Sequence, residues 1–129
     1  MQRTHIDTVE RNSLFHLELR RQLQAAGVEL VDNPEDATAI MVISEDKTDQ
    51  RVLSVSARNV PTEYEVFYLV QYSLQSGTKK LLEPQFLTLT RAYTYDATLV
   101  LGKAREEQLL REAIAKDLVR IVIKQLATL

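Results

Sequence analysis

Along the chain the spacing of apolar residues changes period three times, and each change marks an element. Residues 2–8 are polar and only weakly alternating, which predicts a short strand at the edge of a sheet. From Ser13 the period becomes helical: Leu14, Phe15, Leu17, Leu19, Leu23 and Ala26 recur at helical spacing. Asn12 or Ser13 can cap this helix and Gly27 can stop it, so a helix is predicted over 13–26. The "NPED" of residues 33–36 is a turn signal.

Period two then takes over. "ATAIMVIS" (37–44) and "RVLSVSA" (51–57) both read as strand, and the "EDKTDQ" between them reads as a turn, a bulge or the polar middle of one long strand. The continuous or bulged version is the expectation. "RNVPT" (58–62) connects to a run over 63–75 that is apolar in both phases: Tyr64, Val66, Tyr68, Val70, Tyr72 and Leu74 on one face, Phe67 and Leu69 on the other. "SGTKK" (76–80) turns the chain and 81–95 runs back, with Pro84 expected at an edge or a bulge because it has no N–H to donate. A last helix follows from about Lys103, its broad apolar face including Leu110, Ile114, Leu118, Val122 and Leu126.

The order predicts an α+β fold. It is a two-layer sandwich in which two helices pack on one face of a mixed, mostly antiparallel four-stranded sheet with long strands. With 129 residues, no repeat and no Gly/Ser linker, residues 1–129 read as one domain. Helices on one side only leave the other face of the sheet less covered. The tyrosines at 64, 68 and 72 therefore have two readings, as core beneath the helices or as a contact stripe; the phase facing away is the stronger candidate for a contact surface.

Composition removes several functions. The net charge of −2 argues against a general nucleic-acid binder. There is no cysteine, which excludes thiol chemistry, cysteine-ligated zinc and disulfides within these residues. His5 and His16 are the two histidines and lack metal-site spacing. Three glycines form no phosphate loop, and no serine has a legible His/Asp partnership. No catalytic residue, metal or cofactor is assigned.

Strand direction suggests where positive charge gathers. The long hairpin has Arg58 at one end and Lys79–Lys80 at the other, and its returning strand ends near Arg58, shortly before Lys103 and the last helix. A right-handed crossover through the first helix would bring the end of strand one to the same rim. Arg58, Lys103 and both helix N-termini would then share an edge suited to an anion, with Arg11 and Arg105 as contributors. The competing reading is ordinary surface pairing with Asp7, Glu10, Asp96, Glu106 and Glu107.

Three stretches also carry a resemblance: "LRRQLQAAGVELVD" (19–32), "RNVPTEYEVFYLVQYSL" (58–74) and "LGKAREEQLLREAIAKDLVRIVIKQL" (101–126). In this order, over essentially the whole chain, they resemble the LPS-assembly lipoprotein family, LptE. The resemblance implies a non-enzymatic protein held at the periplasmic side of the outer membrane by a lipidated N-terminal cysteine, expected to precede the residues given. It implies a place as a plug inside the β-barrel partner LptD, which inserts lipopolysaccharide (LPS) into the outer leaflet. It further implies LPS binding through basic residues at one end of the sheet, matched here by Arg58 and Lys103. The alternative is an adaptor whose exposed sheet edge pairs with another protein, without a lipid ligand.

Overall fold

The computed structural model describes residues 2–58, 61–94 and 100–129, with the side chains of 61, 62 and 100–103 excepted. Eight elements follow in order: β1 (Arg3–Asp7), α1 (Leu14–Ala25), β2 (Glu29–Leu30), a 3-10 turn (Pro34–Asp36), β3 (Ala39–Val55), β4 (Pro61–Ser76), β5 (Lys79–Thr94) and α2 (Val100–Leu126). The sheet order is β2-β1-β3-β4-β5, parallel among the first three and antiparallel from β3 onward.

Two expectations are corrected here. The sheet has five strands rather than four, because "EL" at 29–30 forms a two-residue strand directly after the helix. That strand is the edge, so β1 lies inside the sheet, paired on both sides. A five-residue strand needs few apolar residues to be interior when its helix-side pair, Thr4 and Ile6, is buried and its backbone is bonded to two neighbours.

α1 forms where its cap predicts. The Ser13 hydroxyl accepts from the His16 amide at 3.0 Å, and Gly27 ends the helix in the left-handed region at φ +89°. Phe15, Leu19 and Leu23 recur on one face and are buried.

The "EDKTDQ" ambiguity resolves as one 17-residue strand with a bulge. Ile43 pairs with Tyr72 but Glu45 pairs with Gln71, so Ser44 is an extra residue. The bulge switches the phase of β3. Ala39, Met41 and Ile43 face the helices before it; Asp46, Thr48, Gln50 and Val52 do so after it. Pro84 also sits at a register shift, on the edge strand β5, where Tyr72 pairs with Gln85 and Leu74 with Leu82.

The three long strands span about 50–55 Å at ~3.3 Å per residue, and the 27-residue α2 covers about 40 Å of that at ~1.5 Å per residue. One core results. The helix-facing phase of β4, from Tyr64 to Leu74, is 8% exposed or less at every position, under Phe15, Leu19, Ile114, Leu118 and Val122. The tyrosines are core, and their hydroxyls have partners. Tyr68 donates to Asp46 Oδ1 at 2.7 Å and accepts from the Phe15 amide at 3.1 Å; Tyr72 donates to Gln125. Tyr93 bonds Glu107 and Gln50 and stacks on Tyr64 with centroids 5.4 Å apart. Burial raises all three of these hydroxyl pKa values, Tyr72 to about 12; the carboxylates of Asp46 and Glu107 add to the shifts of Tyr68 and Tyr93.

Candidate functional site

The sheet is unequal along its length, and that decides which surfaces are available. Along β3, β1 pairs only with Ala39–Val42, so among the described residues β3 from Ser44 to Val55 has no strand on that side. β3, β4 and β5 continue as a three-stranded arm with both edges open. Near its end Val52, Leu53 and Val55 are about half exposed. On the face away from the helices Phe67 and Leu69 are half-buried and Phe86 is exposed. Arg51 lies over the Phe67 ring at 4.9 Å and pairs with Glu65 at 3.1 Å. This is the phase left uncovered by the helices, and it is a mixed surface of apolar patches and charge.

Arg58 sits just past the end of β3, at the tip of the arm. Its side chain is exposed, its amide donates to Ser56 Oγ at 3.3 Å, and it has no ion pair among the described residues. β5 returns to this tip, with Thr94 opposite Glu63. Lys103 belongs to α2 one turn before Glu107, which bonds Tyr93 near the end of β5. The Lys103 side chain lies outside the described residues, as do Asp96 and the connection through Asn59 and Val60. Arg105 and Glu106 are exposed on the same stretch of α2. Glu107 accepts a hydrogen bond from Tyr93.

The expectation that α1 also starts at this rim is overturned. β1 ends at Asp7 opposite Val42, well short of the tip. The start of α1 therefore lies over the middle of the sheet, where Ser13 Oγ bonds Asp46 and the Phe15 amide meets Tyr68. Arg11, Asp7 and Glu10 belong to that region, so neither Arg11 nor the α1 terminus contributes to a site at Arg58. β1 is five residues long and β3 seventeen, so a shared direction does not deliver their ends to one place.

Among the described residues no three His, Asp or Glu side chains gather to hold a metal, and no helix is long and apolar enough to cross a membrane. His5 and His16 each bond a backbone carbonyl through Nδ1, Val31 at 3.0 Å and Arg11 at 2.7 Å.

A helix-backed sheet drawn out into a three-stranded arm, with exposed apolar and cationic side chains at its end, defines the class as a two-layer α+β domain. The chain belongs to the LptE family, lipopolysaccharide-assembly proteins, whose model matches residues 1–126. Solved structures agree on the fold. The rare lipoprotein B of Shewanella oneidensis superposes with a TM-score of 0.82 at 21% identity, over 98% of this chain and 94% of that one. An uncharacterized lipoprotein B from Nitrosomonas europaea gives 0.82 at 27% identity, over 97% and 81%. A minor lipoprotein from Acinetobacter baumannii gives 0.78 at 23% identity, over 96% and 89%. No curated protein matches the chain.

Proposed function

We propose that this protein is a non-enzymatic outer-membrane assembly factor that binds LPS and occupies the lumen of the LptD β-barrel, held to the membrane by an N-terminal lipid. Arg58 and Lys103 are the LPS contacts: the guanidinium can take a phosphate or sugar acid through two hydrogen bonds, and the ammonium supplies a point charge. Membership of the family carries the reading. What supports the choice of residues is the course of β5 and α2, which runs from the arm's tip into the helix bearing Lys103, and the exposed Arg58 with no ion pair among the described residues. The half-exposed Val52, Leu53 and Val55 beside that tip suit contact with a barrel wall or an acyl region.

The test is direct binding of purified LPS to the R58E/K103E variant. Each charge-assisted hydrogen bond is worth roughly 1.5–3 kcal/mol, so affinity should fall at least tenfold while the far-UV circular dichroism stays that of the parent. Unchanged affinity in a folded variant removes the assignment.

A second reading has its own observation. The unpaired edge of β3 beyond Ser44 could accept a strand from a protein partner by backbone hydrogen bonding, with no lipid involved. That reading predicts partner capture insensitive to R58E/K103E and abolished by a proline at an edge position such as Lys47.

A further inference from the structure

A cavity of about 340 Å³ opens at the far side of the sheet from β5, between the carboxyl ends of β1 and β2 and the first turns of α1. At about 30 Å³ per water it has the volume of roughly ten. Its polar lining is unusual for so acidic a chain: His5 from β1, Arg11 from the β1–α1 connection, His16 and Arg20 from α1, and one carboxylate, Asp32, after β2. The two guanidinium groups exceed that carboxylate by one positive charge before either imidazole is protonated.

The imidazoles are set up as ligand groups by their other nitrogens. A carbonyl only accepts, so Nδ1 carries the proton in both rings, on Val31 for His5 and on Arg11 for His16. Nε2 is the ring atom left for a guest. His16 is 5% exposed, and its Nε2 has no hydrogen-bond partner among the described residues. Nε2 is not sealed off from solvent, so a guest entering the cavity can reach it. The helix terminus does not explain the site: the Phe15, His16 and Leu17 amides are already taken by Tyr68, the Ser13 hydroxyl and the Ser13 carbonyl. Ile6, Leu17 and Leu30 give the remaining wall an apolar character.

We propose that this cavity is a binding site for a small oxyanion on a short apolar stem, a phosphomonoester or carboxylate clamped by Arg11 and Arg20, with Nε2 of His16 accepting from the P–OH of a singly protonated phosphate. It lies in the β1–α1–β2 region and shares no residue with the LPS reading at Arg58 and Lys103, so either can fail alone.

The test is an amide NMR titration of the folded protein with inorganic phosphate, butyl phosphate and butyrate. We expect saturable shifts at residues lining the cavity, tighter for butyl phosphate than for inorganic phosphate because the stem is also buried. The R11Q/R20Q variant, which changes two cations not engaged in ion pairs among the described residues, should bind at least tenfold more weakly. K47Q/K124Q, which removes two exposed charges elsewhere, should bind as the parent does. If butyrate competes as well as butyl phosphate, the guest class is a carboxylate; if it does not, the guest is a phosphate ester. No saturable shift with any of the three, or shifts retained in R11Q/R20Q, overturns the proposal.

Discussion

Tyr68→Phe removes one oxygen from the middle of the core, and the bonds of that oxygen set the cost. Tyr68 is 1% exposed. Its hydroxyl donates to the Asp46 carboxylate at 2.7 Å and accepts the Phe15 amide at 3.1 Å. Losing a bond to a charged partner costs roughly 1.5–3 kcal/mol, and a buried amide left without an acceptor about 1–3 kcal/mol. Asp46 keeps its bond from Ser13 and is only half-buried, which limits its share. We expect a net loss of about 2–4 kcal/mol. Tyr72→Phe is the internal comparison. Among the described residues its hydroxyl serves only the Gln125 side chain, which also reaches Gln85 at 3.0 Å, so about 1 kcal/mol is expected. Equilibrium urea unfolding of both variants measures the difference, with unchanged m-values showing that the folded and unfolded states are otherwise the same. Amide hydrogen exchange adds a local readout: Phe15 should lose protection in Tyr68→Phe and keep it in Tyr72→Phe. Equal losses in the two variants, or an undiminished Phe15 amide, would refute the bonding scheme that ties α1 to β3 and β4.

Two further predictions concern the same framework. Because burial raises the folded-state pKa of Tyr68, Tyr72 and Tyr93 above the ordinary value of about 10, the unfolded chain releases these protons first as pH rises. The associated stability is complete below about pH 10 and is lost upward from there; thermal melts should fall steeply between roughly pH 10 and 12, and a flat profile would contradict the buried bonding. Gly27→Ala and Gly77→Ala meet no atom within 4 Å, so their cost is the left-handed backbone alone, φ +89° and +59°; each should lose about 1 kcal/mol by chemical denaturation, with Gly77→Asn milder than Gly77→Val.

Much of this fold is written in local periodicity. The α1 boundaries follow from Ser13 and Gly27, and the continuous β3 and the bulged, edge-lying Pro84 follow from strand chemistry. β2 was not legible, because two residues carry no period; with it went the interior position of β1, whose polar residues hide a strand stabilised by pairing on both sides. The tip that carries Arg58 could be read from chain reversal alone, since antiparallel hairpins of equal length must end together. The start of α1 could not. Its position depends on how far β1 extends along β3, and nothing in the alternation of residues 2–8 states a length. The cavity at His5 and His16 was missed for a related reason: its residues are scattered over four segments, and only the parallel pairing of β1 with β2 assembles them.

The extra residue at Ser44 has a consequence for how this sequence can change. On one side of it odd-numbered residues of β3 are inward, on the other even-numbered ones. Delete that single serine and Ile43 is followed directly by Glu45, opposite Tyr72 and Gln71, so both stretches of β3 keep their inward residues and the ladder with β4 simply becomes regular. A gap at Tyr68 would act differently, because its neighbours are paired consecutively on both sides. There the loss of one residue would turn half a strand inside out, whereas at Ser44 it would only remove a kink.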